Sequence, residues 1–107
     1  MQRFGSIILL KAEKKAEYIK LHAEPWSDVL ATLSQHHIKN YSIFLRDDML
    51  FSYLEYHGQD YASDMNSLAG DPVTQEWWAL TDPCQAPIPT ANDGEWWSEM
   101  EEVFHLD

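Results

Sequence analysis

The chain has little of what several common functional sites require. It contains a single cysteine, Cys84, which excludes an intrachain disulfide and suits a reducing, cytoplasmic compartment. No basic residue neighbours Cys84 to activate it, so an inert thiol is expected. Only four glycines are present, and none forms a phosphate-binding loop, which argues against nucleotide and flavin sites. The apolar run at residues 7–10 ends at Lys11, too early for a signal or membrane segment.

Positive charge is also scarce. Seven basic residues stand against 18 acidic ones, which gives a formal net charge of −11. A surface of this sign repels phosphate backbones and anionic lipids, so nucleic acids and membranes are poor candidate partners. Solubility is the simplest explanation of the acidity.

Aromatic residues, by contrast, are plentiful. A chain of 107 residues fits one domain, residues 1–107. Five tryptophans and five tyrosines are more than the core of such a domain needs. Because small domains bury little surface, association into an oligomer is expected to cover part of these rings.

The first half of the chain has a strand–helix–hairpin pattern. Residues 3–10 read as a strand, and residues 13–36 carry apolar side chains at helical spacing. Pro25 should bend or restart that helix. Residues 41–45 and 49–56 favour strands, and the short polar turn between them predicts an antiparallel hairpin.

The second half adds helices and a closing strand. Helices are expected at residues 59–69 and 72–81, with Asp71 as N-cap of the second and Pro72 at its first position. A proline-containing loop covers residues 82–94, and residues 101–106 read as the last strand. This order predicts a ferredoxin-like α+β fold, an antiparallel sheet with its helices on one face. A second copy would cover the other face, giving a dimeric α+β barrel.

One helical stretch combines titratable and aromatic groups. Tyr18, His22 and Trp26 follow at steps of four residues, which places them along one helix face. His22 would stand next to the break at Pro25, where a ligand can approach. The negative end of the helix dipole should favour its protonated form. The simpler interpretation is that the three rings pack on the sheet.

Metal binding has no support in the histidine spacing. His36 and His37 are adjacent and diverge on any regular element. The others are scattered along the chain: His22, His57 and His105. No paired ligand motif accompanies them, so neither a metal nor a cofactor is expected.

The remaining possibility is an acid–base pocket lined with aromatic rings. Tyr18 and Tyr41 offer hydroxyls, and Trp77 and Trp78 offer flat apolar faces. Sugars match such a lining, since their C–H faces pack on rings while their hydroxyls meet polar tips. Alternatively, one of the Trp77–Trp78 rings is core and the other a dimer contact. The later pair at residues 96–97 looks more like a packing or interface feature.

These residues resemble the L-rhamnose mutarotase family over nearly the whole chain. The matching pieces are, in order, Glu17-Tyr18, His22, Pro25-Trp26, Asn40-Tyr41, Trp77-Trp78 and Glu102-Val103-Phe104. The resemblance implies a homodimeric isomerase with the same α+β fold and no cofactor. It implies that His22 is the proton donor. It also implies that the sugar is contacted by Tyr18, Tyr41, Trp77 and Trp78.

The implied reaction interconverts the α and β anomers of L-rhamnose by ring opening. An acid, His22, protonates the ring oxygen while a base takes the anomeric hydroxyl proton. A carboxylate, Tyr41 or water remains open as that base. Other functions stay possible on sequence grounds: a mutarotase for L-fucose or another 6-deoxyhexose, a cofactor-free dimeric-barrel oxygenase, or a non-catalytic sugar-binding dimer.

Overall fold

A computed structural model describes residues 1–107 and shows one curled antiparallel sheet with four α-helices. The elements are β1 (Gln2–Leu10), α1 (Lys15–Ala23), α2 (Ser27–Gln35), β2 (Ile38–Arg46), β3 (Met49–Tyr56), α3 (Tyr61–Ala69), α4 (Pro72–Thr81), β4 (Gln85–Ala86) and β5 (Ser98–Met100). Short 3-10 turns precede α1 at Ala12–Lys14 and follow α4 at Asp82–Cys84. The expected α+β class is confirmed.

The sheet has the strand order β2-β3-β1-β4, and β5 also pairs with β1. All pairings are antiparallel, with Ile8 of β1 opposite Leu50 of β3. Alternate residues of a strand face the same side, so Ile8, Leu10 and Leu50 point together toward the helices. They form the buried core with Tyr18 of α1 and the Cys84 thiol.

Helix boundaries follow local chemistry, as expected. α1 ends at Ala23 and α2 begins at Ser27, on either side of Pro25. The Asp71 carboxylate accepts a hydrogen bond from the Thr74 amide at 2.9 Å and caps α4, with Pro72 at its start. None of the helices, the longest of ten residues, is long and apolar enough to cross a membrane.

A β-bulge in β2 changes which residues face the helices. Lys39 lies opposite Glu55 and Ser42 lies opposite Tyr53, so β2 holds one extra residue between those pairs. Asn40 has a φ of 49° there, and its side chain donates to the Glu55 carboxylate at 2.7 Å. An extra residue moves all later side chains to the opposite face. Tyr41 therefore lies on the helix side of the sheet.

The prediction of a final strand at residues 101–106 is wrong. The last strand is β5, which pairs with Gly5, Ser6 and Ile7 of β1. Beyond Gly5 only a few residues of β1 remain as a partner, too few for a six-residue strand. Residues 101–107 have no regular secondary structure, and Val103, Phe104 and Leu106 are exposed.

Candidate active site

Four aromatic side chains meet between α1 and α4. The His22 ring stacks on the Tyr18 ring one turn earlier, with centroids 4.1 Å apart. Its other neighbour is Trp77, in an edge contact at 5.4 Å. Trp26 reaches the same Trp77 ring at 5.2 Å. The predicted stripe therefore holds for Tyr18 and His22, whereas Trp26 lies beyond the helix break and joins the cluster through Trp77.

One nitrogen of His22 is engaged and the other is free. Its Nδ1 lies 2.9 Å from the backbone carbonyl oxygen of Tyr18. A carbonyl only accepts hydrogen bonds, so Nδ1 carries the proton and donates. In the neutral imidazole the lone pair is then on Nε2, which has no hydrogen-bond partner in the protein. This nitrogen is the one available to a ligand.

Burial sets the charge preference of His22. The side chain is half-buried, and desolvation lowers its pKa below the ordinary value, while the bond to the Tyr18 carbonyl opposes that shift. The expectation that the helix end favours the protonated form is therefore wrong. Loss of water around the ring outweighs the helix dipole, which acts only over the last turn.

A cavity of about 120 Å³ opens beside this imidazole. Its wall consists of Tyr18, Ile19, His22, Ile43, Leu45 and Leu50. The wall contains no carboxylate and is apolar apart from the imidazole and the phenol. A larger hollow of about 560 Å³ lies on the open face of the sheet beside residues 99–105. It includes none of the clustered rings, so the smaller cavity is the candidate active site.

Tyr41 brings a second hydroxyl to this side of the sheet. Two-fifths of the residue is exposed, yet burial raises the pKa of its hydroxyl to about 12, with Tyr61 adding to the shift. The buried part is therefore the hydroxyl end. Burial also raises the pKa of Tyr18, and Tyr41 is the next contributor. Both phenols stay neutral at physiological pH, and each can donate one hydrogen bond.

The two adjacent tryptophans of α4 are separated by the helix. Trp77 is 7% exposed and belongs to the aromatic cluster. Trp78 is 37% exposed and contributes to none of the ring contacts described above. Neighbouring helical residues point in different directions, so the structure brings only Trp77 against His22.

Two residues of this region were not predicted as site residues. The Gln85 side-chain nitrogen lies 3.3 Å from the Tyr18 hydroxyl, and the Trp96 indole nitrogen donates to the Gln85 oxygen at 3.1 Å. Trp97 packs against the core, which agrees with the packing role predicted for residues 96–97, whereas Trp96 belongs to the hydrogen-bonded network of Tyr18. Gln85 stands in a proline-containing segment without periodicity, so no sequence signal singled it out.

Neither the single cysteine nor a cluster of metal-ligand side chains forms a second reactive centre. Cys84 is fully buried, and burial, with Glu17 next, raises the pKa of its thiol. No three histidine, cysteine or carboxylate side chains are grouped so as to hold a metal ion.

The chain is similar to known proteins over its full length. It is 34% identical over 109 residues to an L-rhamnose mutarotase of Oceanobacillus iheyensis, covering all of both chains. It is 35% identical to one of Tolumonas auensis, covering 99% of each.

Two solved structures share the fold. The L-rhamnose mutarotase of Formosa agariphila matches with a TM-score of 0.79 at 21% identity, over 100% of each chain. The tetracenomycin F2 cyclase of Streptomyces glaucescens matches with a TM-score of 0.74 at 16% identity, over 100% of this chain and 98% of the cyclase. The profile of the L-rhamnose mutarotase family matches residues 3–106. The chain belongs to the L-rhamnose mutarotase family, whose members are isomerases acting on a carbohydrate.

Proposed function

We propose that residues 1–107 act as one domain that interconverts the α and β anomers of L-rhamnose, with His22 delivering the proton to the ring oxygen. One observation carries the proposal. A half-buried imidazole has its Nδ1 held by the Tyr18 carbonyl and its Nε2 free beside a small cavity. The family match supports the sugar, and Tyr18, Tyr41, Trp77 and Trp78 are proposed to contact it.

The proton balance of the reaction requires a base, and the residues that line the cavity limit which group it can be. Ring opening breaks the O–H bond of the anomeric hydroxyl and the bond from the anomeric carbon to the ring oxygen. A carbonyl and a new hydroxyl form in their place. No carboxylate lines the cavity, and a pKa of about 12 makes Tyr41 a poor source of a base.

We therefore assign both proton transfers to His22 Nε2. Neutral His22 takes the proton from the anomeric hydroxyl. The resulting imidazolium then gives this proton to the ring oxygen, which is bonded to the same anomeric carbon. Rotation of the open aldehyde and reclosure by the reverse steps give the other anomer. A positioned acid–base group contributes ~10²–10⁴-fold, which suits a reaction that already proceeds slowly in water.

The pH dependence follows from the lowered pKa of His22. Since the neutral form binds sugar and accepts the first proton, kcat/KM is expected to be flat above a pKa lower than 6.5. It should fall about tenfold per pH unit below that value. Exchange rates between pH 4.5 and 8, corrected for the buffer reaction, measure this. A kcat/KM that instead decreases from pH 6 to 8 would mean that free His22 must be protonated and that another group is the base.

The cavity wall gives a reason to prefer a 6-deoxy sugar. Ile43, Leu45 and Leu50 present only apolar atoms, so the methyl group of L-rhamnose can pack there or on the tryptophans. L-mannose differs by a hydroxyl on that methyl carbon. Burying this hydroxyl without a partner costs about 1–3 kcal/mol.

The direct test measures by NMR the rate of exchange between the anomer signals of L-rhamnose, L-mannose and L-fucose. Each sugar is measured with and without a metal chelator. We expect exchange above the buffer rate for L-rhamnose and weaker catalysis for L-mannose. Equal rates with and without protein for L-rhamnose would refute the function, and catalysis of L-fucose exchange alone would make that sugar the substrate. Saturable tryptophan quenching without faster exchange would indicate a binding protein, and oxygen uptake with an aromatic substrate would indicate an oxygenase.

We also propose a homodimer formed through the open face of the sheet. Phe44 is 64% exposed there, and Ile7, Leu9 and Phe51 on the same face are only half-buried. An apolar sheet face of this kind favours association. Phe44→Asp should therefore shift the sedimentation coefficient from that of a dimer to that of a monomer, whereas an unchanged coefficient, or a monomeric wild type, would refute this interface.

A cytoplasmic location stays a prediction from the single buried thiol.

A further inference from the structure

We propose that Gln85, held in place by Trp96, is a positioning residue that directs the hydroxyl proton of Tyr18 toward the sugar. The inference rests on the proposed function and adds a residue to it. Gln85 is 4% exposed, and its side chain bridges the Trp96 indole and the Tyr18 hydroxyl at 3.1 and 3.3 Å. Such a buried chain of hydrogen bonds has a direction, and that direction decides what Tyr18 can offer.

The indole fixes the direction of the chain. A tryptophan Nε1–H can only donate, so the group facing it must be the Gln85 oxygen. The Gln85 NH₂ group is then turned to Tyr18, and because an amide NH₂ only donates, the Tyr18 hydroxyl accepts. The hydroxyl still has its own proton, and no acceptor for that proton lies within hydrogen-bond distance in the protein. Tyr18 is part of the cavity wall, so an oxygen of a bound sugar is the acceptor available to it.

The backbone holds both Gln85 and Trp96 in place. Gln85 belongs to β4 and pairs with Leu10 at the edge of β1. Trp96 follows a turn in which the Asn92 amide donates to the Glu95 carboxylate and the Glu95 amide donates to the Asn92 carbonyl, both at 3.0 Å. The two segments before β5 thus meet at the Gln85 side chain, which in turn reaches the Tyr18 hydroxyl.

The same tyrosine is linked to the proposed proton carrier. Its carbonyl accepts from His22 Nδ1, and its ring stacks on the imidazole. Gln85 is not part of the cavity wall and has no hydrogen bond to His22, so its effect passes through Tyr18. A loss of the Tyr18 donor should weaken sugar binding more than it slows the proton transfers, and we expect the change mainly in KM.

Gln85→Glu reverses the chain with almost no change in shape. A carboxylate only accepts hydrogen bonds, so both the Trp96 N–H and the Tyr18 O–H would donate to it. The Tyr18 proton would then point away from the sugar. At pH 8 we expect KM for L-rhamnose to rise about tenfold, the effect of one lost hydrogen bond at a buried site, with kcat within about threefold.

Lowering the pH should restore the variant. Burial favours the neutral form of a carboxyl group, and once protonated, the carboxyl group introduced at position 85 again donates to Tyr18 while accepting from Trp96. The KM of Gln85→Glu is therefore expected to approach that of the wild type as the pH falls from 8 toward 6. A residue with only a packing role would show no such recovery.

Two tryptophan variants make a matched comparison in case Gln85→Glu does not fold. Trp96→Phe keeps a ring but removes the donor that orients the amide, so KM should rise about threefold to tenfold. Trp97→Phe trims the neighbouring ring, which packs on the core, and should leave KM within twofold.

The outcomes separate this inference from the proposed function. If the wild type shows no exchange of L-rhamnose anomers, the proposed function fails. If the wild type is active and Trp96→Phe keeps its KM, the positioning role of Gln85 is overturned. A folded Gln85→Glu variant whose KM equals that of the wild type at pH 8 would overturn it as well.

Discussion

His22→Gln is expected to lower kcat for L-rhamnose anomer exchange by about 10²- to 10⁴-fold, the usual contribution of a positioned acid–base group. Glutamine is uncharged and does not titrate near neutral pH, so it cannot carry a proton between two sugar oxygens. Its amide can still donate to the Tyr18 carbonyl that now receives the His22 Nδ1 proton. The fold should therefore survive, and NMR exchange between anomer signals measures the loss.

His36→Gln is the matched control. His36 also directs its Nδ1 to a carbonyl four residues earlier, that of Thr32, at 2.7 Å. It is outside the cavity wall, and its Nε2 is 3.2 Å from the Ser67 hydroxyl. We expect this variant to exchange anomers at the wild-type rate. Equal rates for His22→Gln and the wild type would remove His22 from the mechanism, and an equal loss in both variants would indicate a general effect on folding.

Trp77→Ala is expected to lower the free energy of unfolding by about 3–5 kcal/mol, the range for a large aromatic removed from a core. Trp77 is almost fully buried and contacts both His22 and Trp26. Its loss would leave a void beside the imidazole and remove the ring contacts of α4 with His22 and Trp26. Small domains have only about 5–15 kcal/mol of stability in total, so the change should be plain in a urea titration.

Trp78→Ala, one position along α4, tests whether the effect belongs to the buried ring alone. Trp78 is 37% exposed and takes no part in the ring contacts around His22. Its replacement should lower the free energy of unfolding by about 1–2 kcal/mol, less than Trp77→Ala, because the ring is only partly buried. The prediction that Trp78 contacts the sugar requires a higher KM in this variant. Equal destabilisation by the two substitutions would contradict the assignment of Trp77 to the core.

The sequence predicted elements whose signals are local. Pro25 ends a helix because it has no N–H to donate to the carbonyl four residues earlier, and its ring crowds that carbonyl. Asp71 and Pro72 begin α4 because a carboxylate satisfies a free amide there and proline has none to satisfy. The turn at residues 46–48 forms a hairpin, and Asp47 adopts a φ of 55° that a two-residue turn of this kind needs.

Features that depend on distant partners have no local signal in the sequence. The bulge at Asn40 is stabilised by Glu55, 15 positions away, and it alone places Tyr41 on the helix side. The predicted last strand at residues 101–106 lies too far along the chain, because the register of β5 depends on how much of β1 is free. The predicted direction of the His22 pKa shift is wrong, because burial by neighbouring elements outweighs the helix dipole.

The sequence by itself determined the order of the elements from β1 to α4, the α+β class and the stacking of Tyr18 with His22, because their signals lie within a few positions of one another. It did not reveal β4, which lies in the segment predicted as a loop at residues 82–94. The tertiary structure alone decided that Trp77 and not Trp78 faces the imidazole, and that Trp96 and Gln85 orient the Tyr18 hydroxyl. These contacts join residues up to 67 positions apart. Their geometry is set by how the helices pack on the sheet and where short strands pair, and no local pattern encodes either.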